Sequence, residues 1–94
     1  QFLDYLFKLV KQRKIELPEN SYTTSLFNRG SDRIIQKVGE EAIETVIAAK
    51  NKDKEEIINE ASDLLFHMFV MFADQGIEFS EIISNLQKRH SDKK

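Results

Sequence analysis

The sequence predicts an all-α protein, a bundle of about four to five helices built on a helical hairpin and completed by dimerisation. Three observations carry that prediction. Only three Gly and one Pro occur in 94 residues, so the chain has few breaks. Helical periodicity of apolar residues runs through nearly the whole length. No window alternates at period 2 as a half-buried strand would.

Taken in order, Phe2, Leu3, Leu6, Phe7 and Val10 fall at helical spacing and predict a first helix over residues 2–14. Leu17-Pro18-Glu19-Asn20-Ser21 reads as a loop, because Pro18 disfavours helical backbone at the residue before it. Residues 23–28 predict a short helical turn ending near Gly30. A long helix follows over 31–50, with Ser31 as its N-cap and Asp32 at the positive end of its dipole. Asn51-Lys52 is a tight connection. Asp53 with Glu56 three residues on has the pattern of a capping box and starts a helix to Gln75, where Gly76 suits the left-handed C′ position. Ser80 is the expected cap of a last helix to His90, with 91–94 a frayed tail. The chain, 1–94, reads as one domain.

Composition removes several classes of function. The 14 basic and 16 acidic side chains nearly balance, at a net charge of −2, which gives no argument for a nucleic-acid or membrane surface. There is no cysteine, so disulfides, thiolate zinc sites and a cysteine nucleophile are excluded. The longest apolar run, Leu64 to Ala73, contains His67 and falls far short of the ~20 residues of a membrane span. No secretory signal is visible, and the expected location is the cytoplasm. The first residue is Gln1 and not Met, compatible with a chain trimmed or excised from a longer one.

The informative feature is the placement of acids. On a helical wheel Glu56, Glu60, Asp63, His67 and Asp74 share one narrow face of the helix after Asp53, while nearly every other position from Ala61 to Phe72 is apolar. A helix apolar almost all round is buried on most sides. Ninety-four residues can hardly surround it, so self-association is expected, most simply as a symmetric homodimer. Phe66, Phe69, Phe72, Met68 and Met71 are the expected core and dimer interface. In the preceding helix Lys37, Glu40, Glu41 and Glu44 lie on one face, opposite Ile34, Ile35, Val38, Ala42, Ile43 and Val46. The short connection makes the two helices an antiparallel hairpin, with Glu41 and Glu44 facing Glu60 and Asp63. Carboxylates converging in a partly buried cleft repel and resist burial as anions. A hard divalent cation, Mg²⁺ or Mn²⁺ in its place, would compensate them.

The pair Glu41-x-x-Glu44 and Glu60-x-x-Asp63 resembles the E-x-x-E…E-x-x-D signature of the all-α, MazG-like nucleotide pyrophosphohydrolases. More narrowly, SYTTSLFNRGSDRIIQKVGEEAIETVIAA and INEASDLLFHMFVMFADQGI, with RH near the end, resemble the phosphoribosyl-ATP pyrophosphatase family over about residues 3–90. The resemblance implies Mg²⁺-dependent cleavage of phosphoribosyl-ATP between its α and β phosphates, the second step of histidine biosynthesis. It makes Glu41, Glu44, Glu60 and Asp63 the metal ligands, with Glu41 or Glu44 as catalytic base. Lys37 and Arg33 are the expected phosphate-binding residues, and Arg29 a weaker candidate. In some organisms such a domain is fused behind a cyclohydrolase domain, so this chain would be one part of that protein.

For the remaining polar residues the bland role competes with the functional one. His67 is a hydrogen-bonded core residue or a support for a carboxylate or substrate. Glu40 pairs with Lys37, Glu56 and Asp74 take surface or cap roles, and His90 is solvated. Tyr22 and Phe27 wall a base pocket or simply pack their loop. Three other readings stand beside the main one. They are a house-cleaning nucleoside triphosphate pyrophosphohydrolase, a carboxylate-bridged di-iron bundle, which would want E-x-x-H pairs that are absent here, and a helical module that only dimerises.

Overall fold

The structure is a computed structural model and describes residues 1–92. Five helices follow in order: α1 (Phe2–Glu16), α2 (Tyr22–Arg29), α3 (Ser31–Lys50), α4 (Lys54–Asp74) and α5 (Phe79–Asp92). No strand occurs among the described residues, so the all-α expectation holds.

α1 runs two residues past its expected end. The proline restricts only the residue before it, leaving Ile15 and Glu16 free to stay helical. Leu17 then turns left-handed, at φ 46° and ψ 54°, and its N–H caps the carbonyl of Arg13. α2 is a true helix of eight residues, longer at each end than expected, because the Ser21 side chain accepts from the N–H of Thr24 and fixes its start. Gly30, at φ 95°, links α2 to α3 in a backbone conformation that only glycine adopts without strain. Ser31 is not the N-cap: it is already helical, and no side chain caps α3. Its hydroxyl instead donates to Asp74 Oδ2 at 2.7 Å, tying the start of α3 to the end of α4.

The hairpin turn is Asn51 and Lys52, the latter left-handed at φ 54°. Asp53 accepts from the N–H of Glu56 at 3.2 Å, as its position in the pattern predicts. The reciprocal half of the box is replaced, since the N–H of Asp53 goes to the carbonyl of Ala48. α4 ends in a Schellman arrangement, with Ile77 N–H on Phe72 O, Gly76 N–H on Ala73 O and Gly76 at φ 74°. The Lys14 ammonium caps the same end, 2.9 Å from the carbonyl of Ala73. α5 starts one residue before Ser80. Its start is held by Glu81, which accepts from the N–H of Glu78, and Ser80 lies exposed in the first turn. Ser91 and Asp92, expected to be frayed, continue this helix; Lys93 and Lys94 lie outside the described residues.

The core gathers Phe7 and Val10 of α1, Leu26 of α2, Ile34 of α3 and Phe69, Val70, Phe72 and Ala73 of α4. Phe69 is completely buried, edge-on to Phe7 at 5.4 Å and 4.7 Å from Phe79. Burying such a side chain contributes about 1.5–3 kcal/mol. Phe66, Met68 and Met71, partly buried, pack against this cluster, so the residues expected in the core are found there. Other apolar residues stay uncovered: Ile43, Val46 and Ile47 on α3 and Ile58 on α4 are more than half exposed, as are Phe2, Tyr5 and Ile15 on α1 and Leu86 on α5. No helix among the described residues is long and apolar enough to cross a membrane.

Candidate metal centre

The α3–α4 hairpin brings three of the four expected ligands together. Glu41, buried at 6% exposure, projects from α3; half-buried Glu60 and exposed Asp63 project from α4. One carboxylate oxygen of each lies within 4.8 Å of the others. Glu60 and Asp63 share a face because they are three apart on one helix. Glu41 joins them because the tight turn at Asn51-Lys52 folds the second helix back along the first.

Glu44 stands beside this group and not within it. It is exposed, one turn beyond Glu41. A hydrogen bond between its carboxyl and that of Glu41, with the charge of Glu41 and partial burial, raises its proton affinity above the ordinary carboxylate value. Glu60 is raised too, by partial burial first and then by the charges of Glu44, Glu41, Asp63 and Glu56. These shifts express the mutual repulsion that the sequence leads one to expect. An open pocket of about 160 Å³ continues the acidic surface toward the hairpin turn, lined by Glu44, Ile47, Ala48, Asn51, Asp53, Glu56 and Glu60.

The cations are divided unequally. Lys37 Nζ lies 3.4 Å from Glu41 Oε2 and 3.8 Å from Glu40 Oε1. Burial draws the Lys37 proton affinity down, but Tyr22, Glu41 and Glu40 outweigh it, and the net direction is up. Arg33 reaches Glu40 Oε2 at 3.5 Å and is not brought to the three acids. Arg29 ends α2, exposed. Glu56 is exposed at the start of α4, Asp74 receives Ser31, and His90 is exposed, as expected of surface and cap residues.

His67 is buried and both ring nitrogens are engaged. Nδ1 is 2.7 Å from the main-chain carbonyl of Asp63, which can only accept, so Nδ1 carries the proton. In the neutral ring Nε2 then accepts from the Tyr22 hydroxyl at 2.9 Å. The Tyr22 ring also lies against Phe66, 6.2 Å between centroids, while remaining 55% exposed. His67 thus supports the backbone of a candidate ligand, not a carboxylate, and links it to α2. Sequence periodicity places His67 one turn after Asp63 but carries no signal for the Tyr22 partner 45 residues away.

Chemically, three carboxylates without thiolate or imidazole form a hard oxygen donor set, suited to Mg²⁺ and not to soft-metal or thiolate chemistry. Comparison with known proteins supplies the context. The model of the family described as phosphoribosyl-ATP pyrophosphohydrolase matches residues 3–90. The histidine biosynthesis bifunctional protein HisIE of Shewanella oneidensis is 54% identical over 95% of this chain and 42% of its own length. The protein of the same name from Buchnera aphidicola subsp. Acyrthosiphon pisum is 53% identical over 93% of this chain and 42% of its own. The phosphoribosyl-ATP pyrophosphatase of Leptospira biflexa is 50% identical over 97% of this chain and 99% of its own. The chain therefore spans less than half the length of the bifunctional relatives and nearly all of the Leptospira protein.

Proposed function

The chain belongs to the phosphoribosyl-ATP pyrophosphohydrolase family, and from that premise we propose that it hydrolyses phosphoribosyl-ATP to phosphoribosyl-AMP and pyrophosphate, the second step of histidine biosynthesis, in the cytoplasm and with Mg²⁺. The observation that carries the reading is the meeting of Glu41, Glu60 and Asp63 within 4.8 Å, on two helices, inside the E-x-x-E…E-x-x-D frame.

Glu41, Glu60 and Asp63 would hold the ion. When bound, it supplies a Lewis acid for the phosphoanhydride and neutralises charge that develops on its oxygens. Glu44 is the base that takes the proton from the attacking water. It lies outside the set of three ligands and beside Glu41, so its carboxylate is left free of the ion for that step. Lys37 and Arg33 bind the polyphosphate, Lys37 beside the acids and Arg33 one turn earlier on α3. Ile43, Val46 and Ile47 of α3 with Ile58 of α4 form the surface on which a second copy seats, giving the homodimer. No cyclohydrolase step is assigned to these residues.

The test is pyrophosphate release from phosphoribosyl-ATP with Mg²⁺ and with EDTA. The reading expects Mg²⁺-dependent release, and faster turnover of phosphoribosyl-ATP than of deoxynucleoside triphosphates. Absence of release, or release unaffected by EDTA, overturns it. The dimer is checked by sedimentation, where Ile47→Asp yields a monomer.

A further inference from the structure

Lys37 is bound to a residue that a metal would also claim. Its side chain is only 19% exposed, and its ammonium lies 3.4 Å from Glu41 Oε2, on a carboxylate that is itself 8% exposed. Glu41 is the most buried of the three clustered acids, so its charge is the least relieved by water. An ammonium and a divalent cation on one carboxylate repel strongly in a partly desolvated site. One of them must yield, and the flexible lysine stem can move where the helix-borne acids cannot.

The neighbouring side chains provide a place for it to go. Glu40 is held by Gln36 Nε2 at 2.9 Å and by Arg33 Nη1 at 3.5 Å, both on its Oε2. Its other oxygen, Oε1, is turned to Lys37 at 3.8 Å. Arg33 and Gln36 thus fix Glu40 as a second seat for the ammonium, one position along α3 from Glu41.

We propose that Lys37 is the built-in counter-ion of the acid cluster: it competes with the divalent cation for Glu41, lowers the affinity of the substrate-free site for metal, and is passed by way of Glu40 to the polyphosphate as metal and substrate bind. This inference rests on the metal reading above. It adds that metal and substrate reinforce each other, because the anion that accepts Lys37 removes the competitor, and such coupling is reciprocal. It also gives Glu40, held by Gln36 and Arg33, a role that the three-acid group does not otherwise assign it.

The experiment measures Mn²⁺ and Mg²⁺ binding calorimetrically, without nucleotide, on the EDTA-stripped 94-residue chain. Lys37→Met is expected to bind about tenfold more tightly than wild type, within the usual range for coupled sites, and Lys37→Arg to stay near wild type. In EDTA, Lys37→Met melts below wild type; in saturating metal that gap closes, which loss of simple packing would not do. A wild type that binds metal beside a Lys37→Met variant with equal or weaker affinity overturns this inference alone. A wild type that binds no metal overturns the metal reading and this inference with it. Should Lys37→Met not fold, the Lys37 Cε–H resonance of the wild type decides: it moves on Mg²⁺ addition, and an unmoved signal overturns the proposal.

Discussion

Between His67 and Ala73, five of the seven residues of α4 are buried, whereas none is buried between Lys54 and Phe66 of the same helix. Six of the seven residues in the later stretch are apolar against six of the thirteen in the earlier one, yet apolar residues of the earlier stretch such as Ile58 and Leu65 stay exposed, so composition alone does not set the contrast. The later half is covered by Phe7 and Val10 of α1 and Leu26 of α2, with Phe79 closing over Phe69. The earlier half lies mainly against α3, with Tyr22 of α2 reaching it at Phe66, and there Ile43, Val46, Ile47 and Ile58 remain exposed. One half is a core completed within the chain. The other is an incomplete layer in which carboxylates are held close, at a cost in local stability that site residues commonly carry.

The comparison breaks first at Phe69. Phe69→Ala removes the ring at the centre of the covered half and is expected to cost about 3–5 kcal/mol, enough to leave most of the chain unfolded at 37 °C; thermal denaturation measures it, and a loss below about 1 kcal/mol would mean that the aromatic cluster is not the core. Glu41→Gln acts on the other half. It is expected to lower Mg²⁺-dependent pyrophosphate release by on the order of 10²–10³-fold, equivalent to several kcal/mol of transition-state stabilisation, while the helical circular dichroism is unchanged. Equal activity in that variant would show that the acids are surface charge.

Smaller effects sharpen the contrast. Asp53→Ala removes the side-chain cap of α4 in the uncovered half and should cost about 1 kcal/mol by denaturant titration; no cost would mean that the Asp53–Ala48 backbone bond alone holds the turn. The smallest expected effect is on pH dependence. Glu60 and Glu44 bind protons more tightly folded than unfolded, their values being raised from about 4.5. Their contribution to stability is therefore present below the unfolded value and is lost as pH rises through the raised folded values. In EDTA the melting temperature should rise modestly as pH is lowered from neutral into that window, and Mg²⁺ should flatten the rise. A metal-free protein that is steadily more stable toward neutral pH would contradict the crowding of these acids.

Much of this was legible before any coordinate. The hairpin, the shared face of Glu60 and Asp63 and the alignment of Lys37 with Glu41 depend on helical period and a two-residue turn, which are local. The Asp53 cap and the Gly76 terminus were legible for the same reason. The two serine caps were misread because Ser31 and Ser80 fit the cap preference, yet neighbours took the role: Gly30 supplies the turn before α3, and Glu78 with Glu81 starts α5. Glu44 matches the four-acid frame and stands beside the three-acid group, its carboxyl next to that of Glu41.

By itself, then, the sequence determined which segments are helical, which face of each is apolar and which carries acid, because these follow from interactions within a few residues. Only the tertiary structure decided that Tyr22 reaches His67, that Arg33 is occupied by Glu40 and that Ile43, Val46, Ile47 and Ile58 stay exposed while Phe69 and Phe72 are buried. Those outcomes depend on which helices lie against one another, and burial is settled by the sum of such contacts, not by the hydropathy of any one segment.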